Sequence, residues 1–179
     1  MQQKLEIVLF DDLEITDRRI GGLLSGLAGA AGAVFGFESE VGERLGVPAG
    51  AFDRKRSQFR GEAFLDSLSS RRQGPELLVG ITGLDIFLPG LNYVFGVADR
   101  DRGVAIVSLH RLGPEFYGLP PDDELLRERI LKEITHEAGH VLGLSHCGRA
   151  DCIMRFSNAI GDTDRKGPGF CDECRVRLA

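Results

Sequence analysis

The chain has 179 residues, with 22 Lys and Arg against 27 Asp and Glu, a formal net charge of −5. That length suits one domain, 1–179, which buries roughly 70% of its unfolded surface, and 42% hydrophobic with 27% charged residues is not the composition of a disordered chain. An acidic balance argues against nucleic acid as a partner, and four cysteines are too few to staple a chain of this size, so they point to a local site.

Lys4–Phe10 reads as a buried strand. Asp17 to about Ala31 follows as a helix with Asp17 as N-cap, and Ala33–Val41 alternates as a second strand. Ile20 to Phe37 carries no charge for eighteen residues, near the lower limit for a membrane span. Its Gly and Ala content makes a buried small-residue helix the expectation instead. Asp11, Asp12, Glu14 and Asp17 stand where a signal peptide is positive, so a cytoplasmic chain without a membrane partner is expected.

Pro48–Arg60 reads as a loop with a basic cluster, Arg54, Lys55, Arg56 and Arg60, expected to be a solvated face rather than a grip on an acidic partner. Glu62–Arg72 is a short helix and Glu76–Thr82 a third strand. Tyr93–Ala98 and Val104–Leu109 read as a hairpin across the polar turn 99–103, with Val104–Leu109 as the edge strand. Strands alternating with helices predict a mixed α/β sheet carrying an antiparallel edge. After Pro120 and Pro121, Asp122 and Asp123 offer N-caps for a long helix with an acidic first turn. Leu126, Ile130, Ile134, Ala138 and Val141 recur along it at helical spacing, so one face is core.

Residues 136–146 read His-Glu-Ala-Gly-His-Val-Leu-Gly-Leu-Ser-His. His136 and His140 lie about 40° apart on the helix and one turn along it, so both imidazoles reach one metal ion with Glu137 beside them. Gly143 falls where a helix ends at positive φ, and the reversal returns His146 to the same ion. Three nitrogen ligands leave a fourth position for water, the arrangement of a catalytic zinc site. The full spacing arises by chance in roughly two of 100,000 chains of this composition, so three unrelated histidines at a helix end are a poor alternative. His110, the fourth histidine, has no partner motif. The eleven-residue pattern is the metzincin signature, which a Met-turn follows; Met154 in Cys152-Ile-Met-Arg-Phe156 is the candidate.

Cys147 with Cys152 and Cys171 with Cys174 form two short-spaced pairs, all within the last 33 residues. Such pairs in a reducing compartment suit four thiolates around zinc, with disulfides as the alternative. The tail 147–179 holds six basic and five acidic residues, which is no stripe for nucleic acid.

These residues, together with Phe156-Ser-Asn158 and Phe170-Cys171-x-x-Cys174, make the chain resemble the archaemetzincins, a metzincin-like family of metallopeptidases. The resemblance implies a twisted five-stranded mixed sheet with an antiparallel edge strand above the cleft. A long active-site helix lies behind it, within 1–143, and a small C-terminal subdomain spans 144–179. It also implies two zinc ions, one catalytic at His136, His140 and His146, the other structural at Cys147, Cys152, Cys171 and Cys174. The expected function is hydrolysis of peptide bonds in a peptide or protein substrate by a monomer, with water at zinc and Glu137 as general base. A zinc-stabilised peptide-binding or regulatory protein with little turnover is the alternative; Glu137 argues against it, because metal binding alone needs no base.

Overall fold

A computed structural model of the chain describes residues 4–13, 18–74 and 76–178. Its elements are β1 (Lys4–Leu9), α1 (Arg18–Leu24), α2 (Leu27–Phe35), β2 (Glu38–Val41), β3 (Phe52–Asp53), β4 (Gln58–Arg60) and α3 (Gly61–Arg71). They continue with β5 (Leu77–Thr82), β6 (Ile86–Phe87), β7 (Gly96–Asp99), β8 (Val104–Ser108), α4 (Asp123–Val141), α5 (Ile160–Arg165) and α6 (Asp172–Leu178).

The main sheet has the order β2-β1-β5-β8-β7, and a small one the order β3-β4-β6. In the main sheet β2, β1, β5 and β8 are mutually parallel, and β7 runs antiparallel to β8. Strands β5 and β8 are buried at every residue, as central strands covered on both faces must be. Along β1, Leu5, Ile7 and Leu9 join the core beneath α1, α2 and α4, with Leu126, Ile130, Ile134 and Ala138 of α4 opposite them. Val8 and Phe10 pack on the other face with Phe64, Leu65 and Leu68 of α3. A third cluster, Leu144, Ile153, Met154, Phe170, Cys152 and Cys174, supports the tail. No helix among the described residues is long and apolar enough to cross a membrane.

Four sequence expectations need correction. The helix from 17 to 31 is two helices, because Arg127 of α4 donates to the carbonyls of Leu23 and Ser25 and ends α1 there. Gly26, at φ 72°, then reverses the chain into α2; Asp17, the expected N-cap, lies outside the described residues. The second strand covers only Glu38–Val41, since α2 runs to Phe35 and stops at Gly36 with φ 72°. The loop 48–60 contains the β3–β4 hairpin. Finally, Val104–Leu109 is not the edge: β8 is hydrogen-bonded on both sides, by β5 and β7. The antiparallel edge is β7, which begins at Gly96 and is half-exposed throughout.

Candidate metal centres and cleft

Asp122 caps α4 by accepting from the Leu125 N–H at 2.9 Å. The helix delivers His136, Glu137 and His140 in its last two turns and ends in two reversing bonds, Gly143 N–H to His140 O and Leu144 N–H to Gly139 O, each 2.9 Å. Gly143, at φ 96°, supplies the left-handed residue that this ending requires. The turn returns His146 to the helix, and its ring stacks on His136 with centroids 5.4 Å apart.

The carbonyls behind the imidazoles decide what the histidines can bind. The Nδ1 of His136 lies 2.8 Å from the Ile153 carbonyl and that of His140 2.8 Å from the Leu144 carbonyl. A carbonyl only accepts, so both Nδ1 atoms carry the proton and both Nε2 atoms keep a lone pair. Those Nε2 atoms face one another at 3.1 Å, an arrangement without a hydrogen bond that a cation relieves. Bonds of about 2.0 Å to a tetrahedral ion separate two ligands by about 3.3 Å, so the pair fits zinc. All three histidines bring a ring nitrogen within 4.8 Å of the others. Burial pushes His136 down to about 2 and lowers His140 and His146, so all three stay in the neutral, ligating form. Burial, and then the charge of Glu133, push Glu137 well above the usual carboxylate range; a dication at the histidines acts in the opposite sense.

The four cysteines are free thiols gathered in the same way. Cys147 and Cys171 lie 3.8 Å apart at sulfur, Cys152 and Cys174 3.7 Å. A disulfide would bring the sulfurs to about 2.05 Å. Zinc with bonds of about 2.3 Å sets its sulfur ligands about 3.8 Å apart. Cys147 follows His146 directly and donates its N–H to the Met154 carbonyl at 2.9 Å. Met154 is fully buried under α4, its sulfur 2.5 Å from where a Cβ on Gly139 would lie.

The histidines open into a cleft of about 580 Å³, lined above by 88–98 and below by Phe156, Ser157 and Asn158. Tyr93 donates its hydroxyl to the Asn158 carbonyl at 3.1 Å, so the two sides touch. None of the four cysteines lines the cleft. Several residues here carry no sequence signal. Lys166, fully buried, pairs with Glu133 at 2.9 Å, and Thr163 also donates to Glu133. Arg56 of the basic cluster donates to the carbonyls of Leu91 and Asn92 at 2.8 and 2.9 Å, and like Arg54, Lys55 and Arg60 it is exposed. His110 stays outside the cleft, its ring against Phe116.

The model of peptidase family M54 matches residues 41–179. An archaemetzincin of Thermococcus kodakarensis is 52% identical over 130 residues, covering 72% of this chain and 70% of that one. One from Methanocaldococcus jannaschii is 43% identical over 147 residues, with 82% and 80% covered. Among solved structures, the archaemetzincin of Methanopyrus kandleri superposes with a TM-score of 0.85 at 35% identity, covering 99% of this chain and 93% of that one. A zinc-dependent peptidase from Methanocorpusculum labreanum gives 0.84 at 31% identity, with 98% and 100% covered. The resemblance read from the motifs and the expected mixed five-stranded fold are both borne out.

Proposed function

The chain belongs to peptidase family M54, a zinc-dependent metallopeptidase family, and on that premise we propose a residue-by-residue account of its chemistry. His136, His140 and His146 hold one zinc ion, and Cys147, Cys152, Cys171 and Cys174 hold a second. When bound at the histidines, zinc supplies Lewis acidity, drawing the pKa of water toward about 7 and polarising a peptide carbonyl.

Glu137 is the general base. Its carboxylate takes the proton of the attacking water and later gives it to the leaving amine. The peptide lies extended along β7, whose outer edge pairs with no other described strand. Main-chain hydrogen bonds along such an edge hold a substrate without regard to its side chains. Gly96 of that strand touches Glu137, so a chain paired there passes the carboxylate. Met154 supports the histidines from below, and the cysteine site fixes the segment that carries His146.

The observation that carries this reading is the pair of opposed Nε2 atoms, 3.1 Å apart beside Glu137 in an open cleft, with both Nδ1 atoms against carbonyls. A peptide-library digest comparing the native protein with Glu137→Gln, alongside metal quantitation, tests it. Native protein should cut peptides, and the variant should keep its zinc while turnover falls by about 10²–10⁴-fold. Undiminished turnover in the zinc-loaded variant refutes the assignment.

A further inference from the structure

Gly96 opens the edge strand, paired with Val107 of β8. Its backbone does not require glycine, because its φ lies outside the left-handed region. A strand also disfavours glycine relative to alanine, through backbone entropy and lost packing. Space accounts for the residue. A Cβ at Gly96 would lie 2.6 Å from Cγ, 2.8 Å from Oε1 and 2.9 Å from the carboxyl carbon of Glu137. The three nearest atoms all belong to one side chain, 5% exposed, whose room to move is the cleft that it lines.

The approach is mirrored below the helix. Gly139, two residues on, lies against the sulfur of Met154 as closely as Gly96 lies against Glu137. The active-site helix is therefore seated between the edge strand and the methionine floor, through a glycine at each contact. On the strand side, the group in contact is the carboxylate itself.

We propose that Gly96 is a positioning residue for the general base: the bare backbone of β7 fixes where the Glu137 carboxylate stands relative to a substrate paired along the same strand. This rests on the reading of Glu137 as base. A methyl group at residue 96 would displace the carboxylate while leaving the histidines, the cysteines and the strand pairing in place. A displacement of about 1 Å in such a group costs on the order of a hundredfold in rate.

The test compares zinc-loaded native protein with Gly96→Ala and Glu137→Gln. In Gly96→Ala, kcat should fall about 10- to 100-fold while KM stays within about twofold. Zinc content should match the native protein, and the melting temperature should fall only slightly, because the cost of displacing one side chain is partly offset by the preference of a strand for alanine over glycine. A crystal structure of Gly96→Ala should show the Glu137 carboxylate moved by about 1 Å with the three histidines unmoved. Native kcat in Gly96→Ala, or an unmoved carboxylate, overturns the proposal. Loss of zinc or of the folded state together with kcat also overturns it, since that marks a structural glycine. If Glu137→Gln turns over like native protein, the base assignment itself has failed, and the carboxylate's position in Gly96→Ala still reports separately on the contact.

Discussion

Along the floor of the cleft, α4 and the segment behind it carry His136, Glu137, His140 and His146 over a buried Met154, all within nineteen residues of sequence. The opposite side, 85–95, is held from behind by residues remote in the chain. Arg111 grips Asp85 with two bonds of 2.7 and 2.6 Å and lays its guanidinium 4.2 Å over the Tyr93 ring. Gln58 links Asp85 to the Asn92 carbonyl, and Arg56 holds the carbonyls of Leu91 and Asn92. The floor carries the two groups proposed as metal ligands, a chemistry that fixes residue type and spacing together. The wall takes its shape from ion pairs and carbonyl acceptors, for which many sequences would serve. Damage to the floor should therefore reach the metal, whereas damage to the wall should reach stability and leave the metal bound.

Cys152→Ser tests the floor with the largest expected effect. A structural zinc site can contribute about 10–16 kcal/mol of apparent binding energy at pH 7. Cys147 is joined to His146, so losing a thiolate should weaken metal at both clusters. Zinc titration of the apo protein measures this, and an unchanged affinity at the histidines would break the coupling. Lys166→Met comes next. It strands Glu133, 2% exposed, without its cation, at a cost of about 3–5 kcal/mol in urea unfolding. Adding Glu133→Gln should restore part of that loss, which a packing defect would not allow.

Asp85→Asn tests the wall, with the smallest effect of the three, about 1.5–3 kcal/mol at neutral pH. Burial pushes the Asp85 carboxyl up, but hydrogen bonds from Arg111 and Gln58 outweigh it and hold it below its ordinary 3.8. A carboxylate depressed in the folded state contributes its stability in full above its ordinary value and loses it as pH falls through the lower one. The deficit of Asp85→Asn against the native protein should then shrink as pH drops below about 4, with zinc content unaffected throughout. A deficit independent of pH would show that the wall is not held by that charge.

Much of this could be read in the sequence where local rules suffice. The long helix is announced by Pro121, Asp122 and the apolar spacing from Leu126, and its end by Gly143. The division at 25–26 was hidden because Arg127, a hundred residues away, supplies the terminating bonds. The position of the edge strand is hidden for a related reason. Val104–Leu109 and Tyr93–Ala98 are both plausible strands, and only pairing with β5 decides that β8 is interior. Arg56 sits in what reads as a solvated cluster and is exposed as expected, but its contact with the Phe87 ring, 4.2 Å from the guanidinium, has no local signal.

The histidine and cysteine sets were determined by sequence alone, because coordination demands particular donor atoms at spacings that a helix turn and two short loops can satisfy. Gly96, Lys166, Glu133 and Arg56 acquired their places only in the folded chain. Glycine beside a carboxylate, or lysine beside glutamate, is a relation across distance, and no local pattern encodes it. The residues proposed to bind metal are therefore legible in the last quarter of the sequence. The walls that confine them exist only once the fold has set residues 56 and 111 against 85–93, and residues 96 and 166 against α4.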